Sequence, residues 1–216
     1  MDLNFGFLAE YWPIFLRGAL VTLELSFFGV ALGTLLGVLF ALMRISSFWP
    51  IKFIASAYIE IIRGTPMLVQ IFIIHFGLTG LGINFSPFVS GVVALTINSS
   101  AYMAEVFRAG IEAIDKGQAE AARSLGLSKG MALRYIVLPQ AFRNMLPAIG
   151  NEFIIIIKDS SLISVIGIAE LMYNARTVQS VTFSPMEPLL VACALYFIMT
   201  FTLSRLLAVL ERKLRS

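Results

Sequence analysis

Asn98, Tyr102 and Glu105 stand at i, i+4 and i+7 in one stretch of the chain. That spacing puts an amide, a phenol and a carboxylate on one face of a helix. Together they offer both donors and acceptors, the combination that a zwitterion with an ammonium and a carboxylate group requires. Ser100 lies on the same segment, and Leu95 and Thr96 border it. A second polar interruption is Gly64-Thr65-Pro66, followed by Met67 and Gln70. Proline removes one backbone hydrogen bond and clashes with the preceding turn, so a helix should break here and free carbonyls near Ile62. A third is Lys158-Asp159-Ser160-Ser161, placed directly after four isoleucines.

Several charges have simpler readings. Glu60 and Arg63, three apart, can neutralise each other, and so can Glu105 and Arg108. Lys158 and Asp159 can form a structural network instead of a site. Glu24 has no local partner; it either joins a buried network or faces a watery path. His75 stands alone, without a second metal-type ligand nearby, and reads as a packed or interface histidine. No metal site is expected, and no Ser, His and Asp spacing suggests a triad. Cys193 is the single cysteine, sits in an apolar run and reads as a small buried hydrophobe.

The elements that must hold these groups follow from composition. The chain has 216 residues, 58% hydrophobic and 13% charged, against roughly a quarter charged in a soluble domain. Leu25 to Met43 is uncharged, as are Pro188 to Ser204 and, His75 apart, Gly64 to Ala104. About 20 apolar residues cross a bilayer as a helix, so the expected fold is an all-α membrane protein, one transmembrane domain over 1–216. Five helices are expected, near 17–43, 53–77, 87–110, 141–162 and 186–207. The opening Met1-Asp2-Leu3-Asn4 has no basic n-region and is not expected to be a cleavable signal. Phe5 to Phe15, with Tyr11 and Trp12, is expected to lie at the membrane interface. Lysine and arginine gather at 44–52, at 111–140 and in the tail with Arg205, Arg212, Lys213 and Arg215. Cations collect in cytoplasmic loops, so an odd number of spans places the N-terminus outside and the C-terminus inside. The +3 charge is thus a topology signal, and nucleic acid is not called for. Gly29, Gly33 and Gly37 allow a close helix contact, within this chain or with another subunit. Polar groups inside a membrane are costly and face the bundle interior. The expected solute pocket is therefore lined by Thr65, Met67, Gln70, Asn98, Ser100, Tyr102, Glu105, Asp159 and Ser161.

Residues 111–140 form the one long polar connection. They read as a short helix, a glycine break at Gly126 and a second helix ended by Pro139. Glu120 and Arg123 can pair on one face, and Ala121 and Ala122 keep that helix low enough for another protein to approach. Leu125, Met131, Leu133 and Ile136 are expected to supply apolar contacts. Glu120-Ala121-Ala122, Gly126, and Ile136, Leu138 and Pro139 together resemble the signature of ABC-importer permeases at every fixed position. Glu60, Arg63 to Pro66, Leu68 to Gln70, then Ser100 to Tyr102, Glu105, Arg108, Gly110 and Ile111, then Lys158 to Leu162 with Val165 to Gly167, resemble the polar amino-acid branch. The likeness covers roughly 15–210.

The resemblance implies a type I ABC-importer permease fold in a bacterial inner membrane. It implies that Glu120, Ala121, Ala122, Arg123 and Gly126 couple to a separate ATPase that binds ATP and Mg. It also implies a second permease subunit, expected as a homodimer, an extracytoplasmic binding protein, and alternating access. The chain itself has no Gly-x-x-x-x-Gly-Lys-Ser/Thr loop and is expected to hold no cofactor and catalyse nothing alone. Among Glu24, Glu60, Glu105 and Asp159 against Arg63 and Lys158, acids outnumber bases. That balance favours a basic solute such as arginine, lysine or histidine, with glutamine or glutamate as the alternative. A gradient-driven transporter is the competing class; its intramembrane acids would carry protons or sodium.

Overall fold

The computed structural model describes residues 3–215. Met1 and Asp2 of the opening stretch, and the Arg215 side chain of the basic tail, lie outside the described residues. Among the described residues every regular element is helical. Helix α1 runs Leu8–Arg44, α2 Trp49–Arg63 and α3 Met67–Phe72, which continues through a π-helical turn into the short α4, Leu78–Gly80. Next come α5, Pro87–Glu112, and two short helices, α6 at Lys116–Ser124 and α7 at Lys129–Ala132. A second π-helical turn leads into α8, Leu138–Asp159, and a 3-10 turn follows at Ser160–Ile166. The chain ends in α9, Leu171–Thr182, and α10, Glu187–Arg215.

The largest interface joins α1 and α5, and glycine explains it. A Cβ on Gly29 would stand 2.7 Å from Cβ of Leu95, and one on Gly33 2.7 Å from Cβ of Ser99; Gly37 meets Met103 in the same way. The glycine stripe is thus a contact within the chain, with two backbones drawn together where larger side chains would hold them apart. Leu25, Leu95, Met103, Ile156 and Ile163 fill the core around that pair. A second core gathers Phe15 of α1, Leu171, Ala175 and Val178 of α9, and Val191 and Ala192 of α10. Glu170 locks it: its buried carboxylate accepts from the Met172 and Tyr173 amides at 2.9 and 2.6 Å and from Tyr196 Oη at 2.7 Å. Burial pushes this carboxyl above its ordinary range, and the donors around it pull it back.

Several expectations change here. The first helix starts at Leu8 and not near 17, so most of the segment from Phe5 to Phe15 belongs to α1, with Phe15 packed into the second core. Pro139 does not end a helix. It sits in the first turn of α8, where a missing N–H is harmless, and the π-helical turn Leu133–Val137 takes up the misfit. Cys193 is exposed, not buried, because it borders an open groove beside α10. By length and apolarity α1 and α10 qualify as membrane spans, and the broken pair from Trp49 to Gly80 makes a third if taken as one.

Candidate functional site

Helix α2 breaks where expected. The axes on either side of Gly64-Thr65-Pro66 differ by 107°. The freed carbonyl of Ile62 accepts a 2.7 Å hydrogen bond from the Gln70 amide, which also donates to the Thr65 carbonyl and hydroxyl at 3.1 and 2.9 Å. The other end of Gln70 accepts from Asn98 Nδ2 at 3.0 Å. One buried side chain therefore pins the break and ties it to α5.

Beside this break lies a cavity of about 370 Å³, lined by Thr65, Pro66, Met67, Asn98, Tyr102, Glu152, Ile155 and Asp159. Three elements supply it: the kink, the middle of α5 and the last two turns of α8. On α8 the lining residues fall at i, i+3 and i+7, one helical face. The cavity therefore presents two carboxylates, an amide, a phenol and a hydroxyl, and no lysine or arginine. Such a volume accommodates a small solute.

Of the expected lining residues, Thr65, Met67, Asn98, Tyr102 and Asp159 meet here. Gln70 stands behind them, spent on the kink. Ser100 turns away to share a 2.7 Å hydrogen bond with Tyr58, whose ring stacks on Phe40. Ser161 donates to the Lys158 carbonyl and, with Lys158 and Cys193, borders a different groove between α8, α9 and α10. Lys158 and Asp159 thus line different spaces.

Glu105 lies one turn beyond Tyr102 and is absent from the lining. Three guanidinium groups surround it: Arg44 at 2.5 Å, Arg108 at 3.0 Å and Arg63 at 3.6 Å. Arg63 therefore pairs with Glu105 and not with Glu60, which is exposed; Arg63 also lies 5.4 Å over the Tyr102 ring. Glu24 is exposed as well and has no side-chain partner among the described residues. His75 packs as expected, its Nδ1 3.0 Å from Ser90 Oγ. The residue the sequence reading missed is Glu152, 6% exposed. Its signal was present: an acid seven residues before Asp159 in an apolar run.

At the other end of α5, Asp115 caps α6 through the Gly117 amide at 2.6 Å. Gly126 adopts φ +89°. Hydrogen bonds from the Gly126 amide to the Arg123 carbonyl and from the Leu127 amide to the Ala122 carbonyl close the helix, the paired pattern of a left-handed glycine stop. Glu120 and Arg123 do not pair; both are exposed, with no side-chain partner among the described residues. Leu125 is 83% exposed and Met131 48%, so this end of the molecule presents bare apolar and charged groups.

Comparison with known proteins matches this geometry to one family. Residues 33–216 fit the family described as binding-protein-dependent transport system inner membrane component. The arginine transport system permease protein ArtQ of Bacillus subtilis is 40% identical over 217 residues, covering 100% of this chain and 99% of its own length. The glutamine transport system permease protein GlnP of Escherichia coli is 40% identical over 205 residues, covering 94% of each. A solved structure described as an amino acid ABC transporter with histidines superposes with TM-score 0.95 at 52% identity, covering 99% of this chain and 100% of that one. An inward-facing methionine ABC transporter, MetNI, shares the fold at TM-score 0.77 and 19% identity. The chain belongs to the binding-protein-dependent transport system inner-membrane components, as a non-enzymatic permease subunit of an amino-acid ABC importer of type I fold, whose ATPase is a separate subunit.

Proposed function

We propose that the cavity between the α2–α3 kink, α5 and α8 is the solute site and that its solute is a basic amino acid. The observation that carries this is the lining: Glu152 and Asp159 face the space and no cation does. A basic amino acid brings two cations and one carboxylate. Two acids answer the cations, while the Asn98 amide and the Thr65 and Tyr102 hydroxyls can donate to the carboxylate. A neutral solute such as glutamine would leave one acid uncompensated in a half-buried place, which is unfavourable. Relatives named for arginine and for glutamine are both close in sequence, so the lining, not the likeness, favours the cation.

In the same reading five spans cross the membrane, with the N-terminus outside and α6 in the cytoplasm; the cation-rich segments at 44–52 and 111–140 support it. The low helix with Glu120, Ala121, Ala122, Arg123 and the Gly126 stop docks on an ATPase that holds ATP and Mg. A second copy completes the pathway, and an extracytoplasmic binding protein delivers the solute. ATP-driven closure of the ATPase pair moves α6, and the two permease subunits rock between outward- and inward-open states.

The direct test is binding to the purified complex. Glu152→Gln and Asp159→Asn should each weaken labelled arginine roughly ten-fold or more, in line with the loss of a buried charge partner, and leave glutamine binding little changed. Equal effects on arginine and glutamine would remove the charge argument, and no effect on either would remove the site.

A further inference from the structure

The cluster around Glu105 lies outside the cavity and performs no task in the account so far. It joins three elements at one carboxylate: Arg44 ends α1, Arg63 ends α2 immediately before the kink, and Arg108 is on α5 one turn further along. Arg108 extends the chain of charges to Glu112, the last residue of α5. Three residues intervene before α6 begins at Lys116. Ile111 at the end of α5 and Ile114 in the link both pack against the main core, which anchors the connection from the Glu105 cluster to α6.

The three arms are unequal. Arg44 and Arg108 hold Glu105 at hydrogen-bond distance. The Arg63 arm is the longest at 3.6 Å, and its side chain is 43% exposed, so water and salt weaken it most. Arg63 also covers Tyr102, a wall of the cavity, and stands two residues before Thr65, another wall. We propose that Arg63 is a positioning residue, the releasable arm of a latch in which Glu105 holds the kink of α2–α3, and hence one wall of the cavity, in register with the end of α5. Displacement of α6 carries Glu105 with Arg44 and Arg108, and the Arg63 contact is the one that yields. This rests on the reading of α6 as the ATPase contact.

The test uses the full complex in proteoliposomes, with ATP hydrolysis measured with and without the binding protein and arginine, and arginine affinity measured separately. Removing one half-exposed ion pair shifts a two-state balance roughly two- to five-fold. Arg63→Gln should raise hydrolysis without arginine by about that factor and lower arginine transported per ATP. Arg63→Lys, which keeps the charge, should restore most of the control. Unchanged hydrolysis in Arg63→Gln would overturn the latch, and so would Arg63→Lys behaving like Arg63→Gln. A Gln variant that fails to assemble would also overturn it, because an arm that opens in each cycle is not needed to hold the fold. Gly126→Val serves as the separate control: if it stays coupled, the α6 reading fails, whereas if it uncouples and Arg63→Gln is silent, only the latch fails.

Discussion

The Gln70 side chain sits where the broken helix has lost its own hydrogen-bond partner. Its amide replaces the donor that Pro66 lacks, and its carbonyl oxygen orients Asn98 toward the cavity. Gln70→Leu keeps the volume but orphans the Ile62 carbonyl and the Asn98 amide, each a loss of about 1–3 kcal/mol. The expected outcome is a melting point several degrees lower in detergent and weaker arginine uptake; a variant that melts and transports like the parent would mean that water satisfies the kink. The break and its freed carbonyl were legible from Gly64-Thr65-Pro66 alone, since proline chemistry is local. The pairing of acids with bases was not. Glu105 read as a pocket residue because it shares a helix face with Asn98, yet its partners arrive from residues 61 and 42 positions away in sequence. Periodicity reports a face and says nothing about what another helix brings to it. The expected acidic balance leaned on Glu24, Glu60 and Glu105, which stand elsewhere, and omitted Glu152, which lines the cavity.

Helices α1 and α5 approach as closely as they do because three glycines face Leu95, Ser99 and Met103. Gly33→Val would force a methyl-bearing carbon into Ser99, where space is already 2.7 Å, and overpacking of this kind costs about 1–3 kcal/mol. The variant should assemble poorly and melt earlier in detergent; normal yield and melting would show that the pair can part without loss. At α6 the element ends on Gly126 at φ +89°. A β-branched residue there costs about 1–2 kcal/mol and would fray the helix end. Gly126→Val should therefore keep ATP hydrolysis and lose transport; a fully coupled variant would separate the helix stop from force transmission. The glycine stripe, the kink and the short helix with its glycine stop could all be read in sequence because each is a local steric rule. The π-helical turn before Pro139 and the extension of α1 to Leu8 could not, since both answer to tertiary contacts: a misfit spread over several residues, and Phe15 finding α9.

Across the whole molecule a small polar cavity stands beside a kink, and one helix, α5, runs from that cavity through the Glu105 cluster to α6. The same rod thus touches the proposed solute site and leads to α6, the proposed ATPase contact, which is the arrangement that a displacement-driven transporter needs. Composition announced the membrane setting and the cation-rich segments, and the spacing around Glu120 and Gly126 announced the family. Which residues meet in the cavity required the fold. The most direct test is uptake of labelled arginine, glutamine and glutamate into liposomes holding this chain with its ATPase and binding protein, with and without ATP inside the reach of the ATPase. The account predicts uptake that requires ATP and prefers arginine. ATP-dependent uptake that prefers glutamine or glutamate would contradict the acidic-cavity argument, and arginine uptake indifferent to ATP would contradict the coupling of α6 to transport.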